Sequence, residues 1–267
     1  PFAVAVLFGL TACVGTWETP SPAASQATSV VPEVQQALVP TGILRVGVYL
    51  GSPTSWVRDA KTGESHGVAF DLGHALGQQL RVPVQIVEYP RVAEVLEGLK
   101  KSEIDMTFTN ATAVRAQDVD FTPALIRLEL GILVVAHSSV QQFIDVNDAA
   151  FRLGVAKGSS SQSVLGTKLD RTTIVGVDSL EQAQRMLTAG ELDGFATNKG
   201  ILFELNARLN GFKVLDDRWG LENLAIAIPK GRSSAMPFLL DFTRRQRQTG
   251  SINAYAQRSG LRGIAKD

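Results

Sequence analysis

Past residue 40 the chain alternates short unbroken apolar runs with longer stretches in which apolar residues recur every three or four positions. The first pattern predicts buried strands and the second amphipathic helices. Leu44-Arg45-Val46-Gly47-Val48-Tyr49 reads as the opening strand, followed by a loop with Pro53 and Trp56 near its middle and a turn at Lys61-Thr62-Gly63-Glu64. Ala69, Leu72, Leu76 and Leu80 share one face of a helix over 68–80. Residues 84–87 form the next strand, Val92, Val95, Leu96 and Leu99 mark the next helix, and 104–108 is a short buried strand. Strands alternating with helices at this spacing predict a mainly parallel sheet.

The same alternation resumes further on. Residues 131–136 are continuously apolar, which suits a strand leaving one lobe for another. A strand over 153–156 runs into Lys157-Gly158-Ser159-Ser160-Ser161, the hydroxyl-lined start of a helix and so a place where backbone N–H groups can meet an anion. Ser179 and Gln182 form a capping box for a helix that ends at Gly190. A strand over 193–197 follows, and Asn198 precedes a helix carrying Ile201, Leu202, Leu205 and Leu209. The apolar run 224–228 is the return crossing, and helices over 235–247 and 251–257 close the chain.

One stretch organises this pattern. The strand 104–108 delivers Thr109, Asn110, Thr112 and Arg115 beyond its carboxyl end, where open α/β sheets hold ligands. Thr112 reads as an N-cap, and Arg115 offers a planar fork matched to a carboxylate. The bland alternative is a simple cap and a solvated charge. Leu99, Glu103, Asp105, Thr109 and Asn110 recur 88 positions on as Leu187, Glu191, Asp193, Thr197 and Asn198. That repeat can be an ordinary α/β connection, but two lobes turning similar strand ends to one cleft is the simplest architecture.

Composition narrows the function. Formal charge is zero with 26 cations and 26 anions, so nothing directs the chain to nucleic acid. Three scattered histidines and a single cysteine, Cys13, exclude a disulfide and a His/Cys metal site. Residues 2–12 are small and apolar, too short to span a membrane, and read as the core of a secretory signal. Leu10-Thr11-Ala12-Cys13 is similar to a lipoprotein lipobox, which makes Cys13 a lipidation site; ordinary cleavage or a plain buried cysteine are the alternatives. Residues 14–40, rich in Thr, Ser, Ala, Pro and Gln, read as a tether with a reach of roughly 30 Å.

Six motifs in order carry a family resemblance: Gly42-x-Leu44-Arg45-Val46-Gly47-Val48, Gly67-x-x-x-Asp71-Leu72, Asp105 with Thr112-x-x-Arg115, Asp120-Phe121, Lys157-Gly158-Ser159-Ser160, and Gly190-Glu191-Leu192-Asp193-Gly194. Over residues 41–260 the chain resembles the solute-binding proteins of polar-amino-acid ABC importers (bacterial solute-binding protein family 3). The resemblance implies an α/β, type II periplasmic-binding-protein fold, two lobes joined by two hinge crossings. It divides the chain into a signal segment (1–13), a tether (14–40), lobe 1 (41–132 and 226–267) and lobe 2 (133–225). It further implies a monomeric, membrane-anchored lipoprotein of the periplasm or cell surface with a small-molecule ligand, an ABC permease as partner, and no cofactor or catalytic residue. In its ligand site Arg115 clamps a carboxylate with help from Thr112 and Asn110, Ser159, Ser160 and Ser161 assist, and Trp56 either stacks on the ligand or anchors its own loop.

Two departures matter. Asp-Pro-Tyr after the phenylalanine is replaced by Thr122-Pro123-Ala124, and Asn198 stands where the family places an aspartate for the ligand ammonium. A charge pair at about 4 Å contributes roughly 4 kcal/mol at an effective dielectric of 20, against about 8 kcal/mol for a whole micromolar complex. The ligand expected is therefore a small carboxylate-bearing or polar solute, with a standard amino acid favoured only if another carboxylate, such as Glu129 or Asp217, moves in. A sensory receptor using the same site is one alternative and a dehydratase on the same fold another, though the sequence shows no nucleophile elbow, Ser-x-x-Lys or metal set.

Overall fold

In the computed structural model the described residues are 1–3, 32–59 and 61–266. Cys13, residues 4–12 of the expected signal segment and residues 14–31 of the expected tether lie outside them. Helix α1 (Pro32–Leu38) precedes β1 (Leu44–Tyr49), and β2 (Val57–Arg58) and β3 (Ser65–His66) make a small hairpin. Then come α2 (Val68–Leu80), β4 (Val84–Tyr89), α3 (Val92–Lys100), β5 (Thr107–Asn110), β6 (Val119–Phe121) and the long β7 (Ile126–Val135). The middle of the chain holds β8 (Arg152–Ala156), α4 (Ser160–Lys168), β9 (Thr173–Val177), α5 (Leu180–Thr188), β10 (Gly194–Asn198), α6 (Lys199–Arg208) and β11 (Phe212–Val214). A second long strand, β12 (Gly220–Pro229), returns the chain to α7 (Met236–Gln248) and α8 (Ser251–Arg258).

These elements form two α/β lobes. In lobe 1, β1 lies parallel to β4, meets the chain entering β5 through a bridge from Val46 to Met106, and β5 pairs antiparallel with β12. In lobe 2 the strand order is β7-β10-β8-β9, with β8 parallel to both β9 and β10. The sheets are mixed where the periodicity predicted mainly parallel pairing, because both long strands enter antiparallel to their neighbours.

The hinge is β7 against β12, with Ile126 opposite Leu224 and Leu130 opposite Gly220. The core changes over inside this ribbon: Leu128 and Leu224 belong to the lobe 1 cluster, Leu130 and Trp219 to that of lobe 2. Both strands begin earlier than the apolar runs 131–136 and 224–228. In those earlier halves polar residues interrupt the apolar ones, including Arg127, Glu129, Glu222 and Asn223, as expected of strands with one wet face.

The folded body also starts sooner than residue 41. Leu38 and Val39 are buried in the lobe 1 core, Gln35 Nε2 donates to the Leu80 carbonyl at 2.6 Å, and Arg232 donates to that of Leu38 at 3.0 Å. Residues 32–40 therefore pack on lobe 1, where composition alone read the end of a tether.

The repeat at 99–110 and 187–198 has a structural counterpart in each lobe. Asp105 accepts the backbone N–H of Arg45 at 2.9 Å and a forked pair from its guanidinium at 2.9 and 2.7 Å. Asp193 holds Arg152 in the same way, at 2.8, 3.0 and 2.8 Å. Asp105 is fully buried and takes a further bond from Arg232 at 2.8 Å, whereas the lobe 2 pair is partly exposed. Removing one partner of a buried pair strands the other charge, at a cost of about 3–5 kcal/mol. Asp105→Ala is expected to lose that much stability and Asp193→Ala clearly less, measured by urea denaturation of the two variants side by side.

Candidate functional site

The carboxyl ends of β1, β5, β8 and β10 face the gap between the lobes, so the residues just beyond them become its walls. Counted together with the open solvent at its mouth, the gap holds about 640 Å³ of space between the lobes. Lobe 1 contributes Tyr49, Thr109, Asn110 and Arg115; lobe 2 contributes Ser159, Ser160, Ser161, Thr197 and Asn198. Glu222 comes from the hinge strand β12.

Arg115 Nη1 donates to Thr109 Oγ1 at 3.0 Å and to the Asn110 carbonyl at 3.1 Å. One nitrogen thus fixes the guanidinium, leaving the other N–H groups of the fork for a partner. Burial pulls its pKa down from the ordinary arginine value, and the charge of Glu222 opposes that pull. Glu222 is the mirror case: burial raises its carboxyl, and the Arg115 charge and the Asn198 hydrogen bond only partly counter this. Burial likewise raises the Tyr49 phenol, which keeps its proton.

Asn198 explains how Glu222 is held. Its Oδ1 accepts the Ile201 N–H at 3.0 Å, capping α6, while its Nδ2 donates to Glu222 Oε2 at 3.1 Å. An aspartate at this position has no donor to offer and would repel Glu222. Facing it, α4 begins at the gap: Ser159 Oγ accepts the Gln162 N–H at 3.2 Å, and Ser160 Oγ accepts from Asn110 Nδ2 of lobe 1 at 3.3 Å. The cleft therefore offers a cation, a carboxylate and a hydroxyl-rich helix start in one partly enclosed space.

Residues 44–260 match the family model of bacterial extracellular solute-binding proteins, family 3. The chain belongs to that family. This solute-binding protein is 23% identical over 212 residues to a glutamine-binding protein of Geobacillus stearothermophilus, covering 78% of this chain and 80% of the relative. Among solved structures it resembles an amino acid ABC transporter substrate-binding protein of Streptococcus pneumoniae bound to L-arginine (TM-score 0.76, 15% identity, 84% of this chain and 97% of that one). It also resembles an ancestral amino acid-binding protein described as a precursor of cyclohexadienyl dehydratase (TM-score 0.71, 22% identity, 81% and 95%). These likenesses match the two-lobed type II fold described above.

Of the residues singled out from the sequence, Asn110, Arg115, Ser159, Ser160, Ser161 and Asn198 line the cleft of the solute-binding protein. Thr112 does not. Its Oγ1 accepts the Arg115 N–H at 3.2 Å, and the residue lines an outer groove that adjoins the cleft at Arg115. Trp56 is also elsewhere: it is 8% exposed in the lobe 1 core, its carbonyl closes the 51–56 loop, and the Arg58 guanidinium lies 5.2 Å over its ring. The aromatic residues that line the cleft are Phe108 of β5 and Tyr49, the last residue of β1, which the strand-end rule points to once applied to the first strand.

The carboxylates proposed to replace the missing aspartate are engaged elsewhere. Glu129 is bound by Lys199 at 2.9 Å and Arg218 at 3.1 Å, and Asp217 accepts the Phe143 N–H at 2.7 Å. Glu222 stands in the cleft instead, and it escaped the sequence reading because it lies ahead of the apolar run taken for β12.

A carboxyl whose folded pKa is raised binds its proton more tightly in the folded state, so it loses stability for the protein as pH rises from the ordinary glutamate value, about 4.3, through the raised one. Glu222→Gln is therefore expected to make the ligand-free protein more stable than the parent at pH 7. That gap should close below about pH 4; urea midpoints of both proteins across pH 3.5–8 check this.

Proposed function

We propose that this chain is the substrate-binding component of an ABC importer and captures a small α-amino-acid-like solute between its lobes. The observation that carries the reading is the placing of Arg115 and Glu222 in the same cleft. Arg115 takes the ligand carboxylate, aided by the start of α4, and Glu222, steered by Asn198, takes the ammonium. The charge lost at position 198 is supplied from the hinge strand, which brings an ordinary zwitterionic amino acid back into range.

Each lobe alone presents an incomplete site. A ligand touching Arg115 on one side and Ser159 to Ser161 on the other binds the closed arrangement better than the open one and shifts the population towards it. The closed form is then what the permease receives. Family membership and the amino-acid-binding relatives support this reading and a place outside the cytoplasm, while Cys13 as a lipid anchor rests on the lipobox-like Leu10-Thr11-Ala12-Cys13 alone. We assign no catalytic role: Glu222 is a counter-charge here, and turnover of a cyclohexadienyl substrate by the purified protein would count against the assignment.

A thermal-shift screen of α-amino acids and their deaminated analogues tests it. A bound amino acid at 100 times its dissociation constant adds about 2.7 kcal/mol of stability. The deaminated analogues should give little shift. Arg115→Met and Glu222→Gln should each weaken binding on the order of 10²–10³-fold, the loss expected for one charge pair. Equal shifts with and without the amine, or an indifferent Arg115→Met, would refute the reading.

A further inference from the structure

Beyond α8 the chain turns from lobe 1 towards lobe 2. Leu261 is buried in the lobe 1 cluster, and its N–H donates to the Ala256 carbonyl at 2.8 Å. The same side chain abuts α6 of lobe 2, where an added Cβ on Gly200 would lie 2.6 Å from Leu261 Cδ1. Arg262 sets its guanidinium 4.5 Å over the ring of Phe203, also on α6. Gly263, at φ +82°, passes so close to the first residue of that helix that an added Cβ would lie 2.5 Å from Lys199 Cβ. Neither that backbone conformation nor that space suits a side chain.

The segment then runs back along the hinge. Glu129 N–H donates to the Gly263 carbonyl at 2.8 Å, Ile264 bridges Leu128 in antiparallel register, and Ala265 N–H donates to the Arg127 carbonyl at 2.9 Å. Leu128 has Glu222 of β12 on its other side, so residues 263–265 lie along the edge of β7 that β12 leaves open. Further on that edge is taken by β10, whose last residue, Asn198, stands opposite Leu130. Glu129 joins the two fastenings: its N–H holds residue 263 and its carboxylate holds Lys199 at 2.9 Å. Twist is largest in two-stranded ribbons, so a third strand laid on one edge restrains it.

We propose that residues 261–265 are a clasp on the hinge, holding the amino end of α6 in lobe 2 against α8 of lobe 1 and against β7, and so opposing the opening of the cleft. The contacts of Leu261, Arg262 and Gly263 with α6 occur in an arrangement in which the lobes already touch through Asn110 and Ser160. A swing of lobe 2 carries α6 away from the segment, while Leu261 and the bonds to β7 keep the segment on lobe 1 and the ribbon. The clasp therefore sets the fraction of empty molecules that are closed, and with it the apparent affinity for whatever the cleft holds.

The separation of the lobes tests this without any ligand, so the outcome is independent of what the cleft binds. Nitroxide labels at Gln78→Cys on α2 and Arg185→Cys on α5, both exposed positions, in a Cys13→Ser background report it by pulsed electron resonance. Arg262→Ala should lower the ratio of closed to open molecules about two- to fivefold, the size of one exposed cation–π contact. Arg262→Lys, which keeps a cation over the ring, should stay near the parent. Gly263→Val should shift the distances further towards the open arrangement. Arg262 is exposed, so its variants carry the test if Gly263→Val folds poorly. A purely local packing role predicts lower melting temperatures with unchanged distances, and that result overturns the assignment. So does a closed population that grows when the clasp is weakened, or a parent with no closed population at all.

Discussion

The antiparallel pairing of β7 with β12 is the constraint from which the rest of the molecule follows. Five residue pairs, from Ile126–Leu224 to Leu130–Gly220, join the strands exactly where the hydrophobic core passes from one lobe to the other. A two-stranded ribbon keeps its backbone hydrogen bonds while it twists or bends, so the lobes can swing without either core opening. Trp219 Nε1 donating to the Gly131 carbonyl at 3.0 Å, and Lys199 bound to Glu129 at 2.9 Å, brace its lobe 2 end. Glu222 sits on this ribbon, so the proposed counter-charge for an amine moves with the hinge itself.

Across the gap, among the described residues, the lobes meet through a few polar contacts and through Tyr49, which packs against the lobe 2 cluster. Asn110 meets Ser160, Arg91 meets Asp178, and Gly158 comes so near lobe 1 that an added Cβ would lie 2.7 Å from that of Ala93. Exposed ion pairs of this kind contribute about 0–1 kcal/mol each. Closure therefore hangs on small differences, the regime in which a ligand bridging both walls can decide the population. The half-buried Glu222 works in the same direction, because burial disfavours its charge more than Arg115 and Asn198 offset, and an amine would add to that offset.

Much of this was legible in the sequence because continuous apolar runs and 3.6-residue periodicity report burial directly. Strands β1, β5, β8 and β10, and helices α2, α5, α7 and α8, fall close to where the pattern puts them. The Leu-Glu-Asp-Thr-Asn repeat marked two equivalent connections, and their Arg–Asp ties are what such a repeat preserves physically. What stayed hidden were residues whose meaning depends on partners far along the chain. Glu222 looks like a loop residue until β12 is paired with β7, and Trp56 can be either a ligand platform or a loop anchor until its ring is found under Arg58 in the core. Asn198 read as a lost charge because its amide partner lies 24 residues away.

The stitching of α1 to lobe 1 has a mechanical consequence. Gln35 grips the end of α2 and Arg232 joins Leu38 to the buried Asp105, so a pull along the amino-terminal segment is carried into the core of one jaw and bypasses the ribbon. Residues 32–40 and lobe 1 thus behave as one rigid jaw, against which lobe 2 turns on the ribbon.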